Sequence, residues 1–479
     1  MMNLPLTTLL LAAVLPGNLP FAVDASEDAS SQFPGAPRIQ SFSFAQLEGR
    51  WVFLGGRKAG YHSVGGGAAE FLRSDANREV WVIDTTVTPA RTYHASVDQL
   101  PESLAVVRSQ WASTAQLYFQ DGPELYIAGG YGEDGTGKWV TVPVISRVDL
   151  PQLIESVMHG KIAAASVSFA ENKAVQSAGG GLIKLADGFF YLVMGHTFNG
   201  SYLAFEGQAE HNADAVSQVY LNQIRKLKIT DGSPGRLDVS VVETFEDEDQ
   251  FHRRDLNVTP ILSTDGLGLA AYGGVFTPQT QLNYSKPVYL FGNGKPMVDS
   301  GFDQKMNAYS CPTLLLYEKA GATSRVVMYT TLFGGISRFS WDAAAQRFVE
   351  NPKVGSKTEP EYLDGLQWSD QISTIQRKQW VGKVETSEVV QTAGLPAFLG
   401  TGAVFIPAPQ LARAYPGTDI LDLEPLRGKK TLVGYIYGGI RASPYRFPYD
   451  KTATPNNAGA VPSSTNSLIL KVYLDVSGK

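Results

Sequence analysis

Short apolar runs that end in two glycines recur along the chain, with polar stretches between them. They read WVFLGG (residues 51–56), LYIAGG (125–130), GLAAYGG (268–274), MYTTLFGG (328–335) and GYIYGG (434–439). FYLVMGH (190–196) matches with Met194 in place of the first glycine. A β-type run precedes the glycine run, as in ASTAQLYF (112–119) and PTLLLYE (312–318). A third follows after a loop: REVWVID (78–84), KPVYLFG (286–292), SLILKVYL (467–474). RLDVSVVETF (236–245) fits a fourth, outer strand. Val, Ile, Tyr, Phe and Thr dominate these runs, and Gly, Asp and Pro separate them, the signature of strands joined by turns. Helical periodicity is confined to LPQLIESVMHG (150–160).

Repetition at this scale predicts an array of identical supersecondary units. The intervals between the final glycines are 74, 65, 79, 61 and 104 residues. Wrapping from Gly439 through the C-terminus to Gly56 gives a sixth interval of similar size once a leader is removed. The expectation is an all-β propeller of about six four-stranded antiparallel blades; the longest interval leaves room for a seventh. N- and C-terminal strands should close the ring, residues 39–46 pairing with 467–474 in one blade.

Five Gly-Gly steps at blade-like spacing make the chain resemble kelch repeats, which also build the propeller of galactose oxidase. The resemblance spans nearly all of residues 39–479. It departs from the family in its longer units, and only Tyr131 and Trp139 match the Tyr and Trp that follow the glycines in kelch repeats. Galactose oxidase uses copper and a Tyr cross-linked to Cys. Tyr309 and Cys311 are near each other here, but no His follows His252 to complete such a site.

In a four-stranded meander, the loop after the second strand lies beside the connection into the next first strand. Loops on one face of such a frame carry function. That face should therefore hold Arg57, His62, Tyr131, His196, Arg338 and Arg441 after the glycines. It should also hold His252, Arg253, Arg254, Asp255, Asn307 and Tyr309 where the chain enters a first strand. The post-glycine loops look long at 57–77, 196–217 and 440–466 and almost absent in the fifth unit, where ISRFSWD follows at once. Arg offers forked donors to carboxylates and hydroxyls, and Tyr and Trp offer flat faces to sugar rings. The competing reading is that the Arg and Asp residues pair between blades and that His62 and His196 simply pack in loops.

Composition changes this picture little. Hydrophobic residues are 43% and charged residues 18%, a globular balance. The 48 glycines fit a turn-rich fold. A net charge of −6 without a basic stripe sets nucleic acid aside. One cysteine, Cys311, allows no intrachain disulfide. LLLAAVL (9–15) is too short to span a bilayer. With the small-x-small step Val23-Asp24-Ala25 it reads as a secretory signal over residues 1–25, although no Lys or Arg precedes Arg38. A linker over 26–37 and a propeller over 38–479 would follow, in an exported, periplasmic or extracellular monomer without a transmembrane segment.

No P-loop, dinucleotide fingerprint or HExxH is present, so no cofactor and no metal is expected. The function class is a binding module for a glycan or protein ligand through the face of the post-glycine loops. The alternative is a cofactor-independent carbohydrate-active enzyme of epimerase, mutarotase or lyase type using the same face.

Overall fold

A computed structural model describes residues 19–61, 71–200, 217–292, 294–320, 325–355, 363–442 and 463–477. The chain is all-β. Six antiparallel meanders follow one another along it. The first is Ser43–Leu47, Arg50–Leu54, Glu79–Asp84 and Arg91–Ser96. The second is Leu117–Asp121, Glu124–Ala128, Val144–Asp149 and Val167–Glu171. The third is Gly181–Lys184, Phe190–Val193, Gln223–Asp231 and Leu237–Glu246. The fourth is Asn257–Ser263, Gly266–Tyr272, Val288–Phe291 and Met297–Val298. The fifth is Thr313–Ala320, Arg325–Phe333, Ile372–Trp380 and Lys383–Val390. The sixth has Ala403–Pro407, Lys430–Gly438 and Leu470–Asp475, with Ala22–Asp28 as its outer strand.

The glycine pairs have one physical cause. In five sheets the first glycine is left-handed, with φ between +61° and +71°, and the second lies between +80° and +99°. A Cβ on the first would overlap the backbone carbonyl that leads into the next sheet: Ser113, Ser177, Ala308, Leu399 or Ile39. The second glycine donates its N–H to that same carbonyl. The bonds are Gly56 to Ser113 (2.8 Å), Gly130 to Ser177 (2.9 Å), Gly274 to Ala308 (2.7 Å), Gly335 to Leu399 (2.7 Å) and Gly439 to Ile39 (3.0 Å). Gly195 donates likewise to Arg253 (2.8 Å), and Met194 before it takes φ +58°. Each sheet is thus tied to its successor, and the sixth is tied to the first.

Aromatic rings fill the spaces between sheets. Phe53 of the first sheet stacks on Tyr437 of the sixth at 4.5 Å, and Tyr126 of the second meets Phe190 of the third at 4.5 Å. Burying one such ring is worth about 2–3 kcal/mol.

Two expectations are corrected. Residues 39–46 and 467–474 lie in different sheets. The strand that pairs with Leu470–Asp475 is Ala22–Asp28, in register from Ala22↔Asp475 to Asp28↔Leu470. Leu19, Phe21, Val23 and Ala25 are buried. The fifth unit has a long post-glycine loop. Its third strand is Ile372–Trp380, and the described residues between 336 and 371 include small hairpins such as Phe339–Asp342 with Arg347–Glu350. That loop and residues 408–429 fill the 104-residue interval, which holds no further four-stranded sheet among the described residues.

The expected helix is Leu150–Met158. The Asp149 carboxylate accepts the Gln152 N–H at 3.0 Å, and Leu150, Leu153, Ile154 and Val157 form the buried stripe. Among the described residues no helix is long and apolar enough to cross a membrane.

Candidate functional site

Residues of the first strands of all six sheets line a cavity of about 620 Å³. One end is lined by residues that follow the second strands: Arg57, Tyr61, Tyr131, His196 and Ile440. The other end is lined by Gly122, Lys184 and the turn Gly417-Thr418-Asp419. The loops of the second and third units pair above the first end. Tyr131–Glu133, Trp139–Thr141, His196–Asn199 and Ser217–Tyr220 form an additional four-stranded sheet. That sheet fixes Tyr131 and His196 in the wall.

Six of the expected site residues line the cavity: Arg57, Tyr131, His196, Arg254, Asp255 and Tyr309. Arg57 lies 3.9 Å over the Phe71 ring, with Asp75 4.0 Å from its guanidinium. Tyr131 donates its hydroxyl to the Gly200 carbonyl at 2.8 Å. Arg254 pairs with the Asp255 carboxylate and lies 5.2 Å from the Phe276 ring centroid. Asp255 has φ +53°, which kinks the chain as it enters the fourth sheet.

His196 is buried, and that burial, with Arg254 nearby, holds its imidazole well below the ordinary value of 6.5. The ring is neutral at physiological pH. Its Nδ1 lies 3.1 Å from the Gln218 amide nitrogen. With Gln218 donating there, the proton sits on Nε2, and His196 presents a donor rather than a free base.

The other candidates are placed elsewhere. Arg253 is fully buried. Its guanidinium donates to the carbonyls of Gln250 (2.6 Å), Gly273 (3.1 Å) and Lys286 (2.9 Å), and it stacks 4.2 Å over Tyr284. Burial pushes it down to about 9, yet the surrounding carbonyls hold the charged form at neutral pH. His252 stacks on Tyr220 at 3.8 Å and bonds Asn222 at 3.0 Å. Asn307 is a buried cross-link. It donates to the Gly334 carbonyl at 2.5 Å and accepts from the Ser373 hydroxyl at 2.6 Å. Arg338 is held inside the fifth loop by Glu350 and by the carbonyls of Asn351 and Gly365. Arg441 is exposed on the short strand Ile440–Ala442, outside the lining. His62 lies outside the described residues.

Among the described residues the arginines of the mouth stand beside carboxylates. Arg57 has Asp75 near it and Arg254 has Asp255; at the other end Lys184 bonds Asp121 at 2.5 Å. The carboxylate beside Arg254 comes from its own sequence neighbour rather than from an adjacent sheet.

Sequence reasoning missed the aromatic residues Phe71 and Phe198 in the wall, and Asp419 at the far end. Asp419 belongs to residues 408–429, which join the first two strands of the sixth sheet. Leu421–Asp422 pairs in parallel with the inner strand of the fifth sheet, and Ile420 is fully buried. The intervening turn is thereby hung at the end of the lumen. Protein surrounds Asp419 and pushes its carboxyl above the usual range, opposed by Arg413 at 4.0 Å. Its side chain nevertheless keeps 65% of its accessible surface, a combination that a water-filled lumen explains. A Pro-Gly-Thr-Asp sequence reads as an ordinary turn, so nothing in it pointed to the channel. Cys311 is buried and its thiol is pushed up to about 12 by burial. Among the described residues no three of His, Cys, Asp and Glu come together as a metal site would require.

No family model matches the chain, and no curated protein matches it. Among solved structures, one titled "Structure of YjhT" matches with a TM-score of 0.44 and 13% sequence identity, covering 87% of this chain and 95% of that one.

Proposed function

We propose that the chain is an exported, closed, six-bladed kelch-like propeller whose central channel binds a polyhydroxylated ligand, a glycan or part of one. The ring reading is supported by the six glycine-to-carbonyl bonds, the last of which returns to Ile39. The ligand reading rests on one observation. The cavity wall sets a charged donor and acceptor side by side, Arg254 with Asp255, and adds Arg57, backed by Asp75 from outside the lining, among the rings of Phe71, Tyr131 and Tyr309. Hydroxyl groups both donate and accept, so such pairs match them better than they match a bare anion. Pockets of this size with a few polar groups among aromatic walls are typical of small-ligand sites.

Titration of the protein with a panel of soluble oligosaccharides tests the reading. At least one should bind, and Arg254→Met should weaken it tenfold or more. Failure of every member to bind would remove the proposal. The enzyme reading has one observation in its favour, the neutral His196 in the wall. Its Nδ1 is already engaged by Gln218, so binding is preferred over turnover. Anomer or epimer exchange of a bound sugar, followed by NMR and abolished in His196→Gln, would reverse that preference.

A further inference from the structure

The lumen changes chemistry along its length. Its mouth shows Arg57, Arg254, Asp255 and His196. Its far end shows Gln120, Lys184 and Asp419. Between them the wall carries apolar side chains that are only partly buried, Phe119, Val258, Val404 and Phe405, with Tyr118 and Thr313 among them. These residues come from the inner strands of the second, fourth and sixth sheets, so the apolar wall is a collar and not a patch on one side. From Ala403 to Pro407 an inner strand rises about 13 Å at roughly 3.3 Å per residue. The collar separates two polar zones by a distance of that order.

The collar is also preformed. Phe405 lies parallel to Phe333, 6.3 Å behind it, and Phe119 meets Phe190 edge-on at 6.2 Å. Both rings are braced from behind and cannot turn away from the lumen without losing that packing. Apolar surface held rigidly against a water-filled cavity gains by being covered. A plain sugar offers it little. We infer that the ligand is amphipathic: a hydroxylated head at the mouth joined to an alkyl or aryl portion seated in the collar. The inference rests on the saccharide reading and adds the class of aglycone.

The test compares methyl and n-octyl glycosides of glucose, galactose and mannose by calorimetric titration, each octyl glycoside below its micelle concentration. Each methylene fully buried is worth about fourfold in affinity, so partial coverage of an octyl chain should give a gain of tenfold or more over the methyl glycoside. Phe405→Ala and Phe119→Ala, in different sheets, should each cut that gain severalfold and leave the methyl glycoside within twofold of wild type. Should both variants misfold, the chain-length gain in the unaltered protein decides alone. A methyl glycoside that binds, with an octyl gain below tenfold or a gain that both folded variants retain, overturns the amphipathic ligand and leaves the saccharide site standing. An octyl tetraethylene glycol ether that binds as tightly as the octyl glycoside overturns the hydroxylated head. Absence of binding by every glycoside removes both the inference and the reading beneath it.

Discussion

Arg253 and Arg254 are neighbours in sequence with opposite roles, and replacing each by Met separates them. Methionine keeps much of the aliphatic length and removes the guanidinium. At Arg253 the change leaves three backbone carbonyls, those of Gln250, Gly273 and Lys286, without this donor inside the protein. A buried acceptor left unsatisfied costs about 1–3 kcal/mol. Relief from holding a desolvated charge offsets several kcal/mol of that. The net expectation is a loss of roughly 2–4 kcal/mol. Unfolding entropy of about 2.1 cal/mol/K per residue, over a chain this long, makes 1 kcal/mol about 1 °C in Tm. Arg253→Met should therefore melt about 2–4 °C lower and shift the urea midpoint, while binding any confirmed ligand within twofold of wild type. Arg254 is different. Its partner Asp255 is partly exposed, and such a pair is worth less than about 1 kcal/mol. Arg254→Met should melt within about 1 °C of wild type and lose ligand affinity. Calorimetric melts and ligand titrations on the two variants check this. Equal melting of both variants with wild type, or a larger loss at Arg254, would refute the division between a structural and a lumen-facing arginine.

Other expected outcomes follow from the same geometry. Gly129→Ala places a methyl against the Ser177 carbonyl at φ +61°, and should cost more than about 3 kcal/mol by urea unfolding. Gly188→Ala, at φ +83° with open surroundings, should cost only about 1 kcal/mol. His196 has a depressed value in the folded state, so the unfolded chain takes up its proton first as pH falls below 6.5. Stability present above that pH should decline by up to about 1.4 kcal/mol per pH unit on the acid side, and His196→Gln should flatten the decline in a comparison of unfolding curves. A chain begun at Ser26 lacks Leu19, Phe21 and Val23 and uncovers Leu470–Asp475, so it should melt several degrees below one begun at Leu19. Under the proposed export, intact mass of the secreted form should place its N-terminus at or before Leu19.

What could be read from the sequence depended on whether the physical requirement sits in the residue itself. The glycine pairs were legible because in five of the six sheets a Cβ there would meet both a left-handed backbone and a carbonyl pressed against it, so the inter-sheet joint is written largely into the residue type, with Met194 the exception. The strand Ala22–Asp28 was not legible. AVDASED carries a weak apolar alternation, and the burial of Val23 and Ala25 depends on a partner more than 440 residues away. ISRFSWD alternates as a third strand would, yet Arg338 is drawn into hairpins by Glu350 and Asn351, whose pairing no local pattern announces. The site was legible as a neighbourhood and not as a set of residues. All the arginines near glycine steps looked alike, but one position along the chain decides whether a side chain meets carbonyls or the lumen. At Arg253 and Arg254 that choice follows from the bridge between Arg254 and Val275 and the kink at Asp255. Both are consequences of how the fourth sheet meets its neighbours. Residue type narrows a ligand to a chemistry; only the register of the surrounding sheets says which copy of that chemistry faces it.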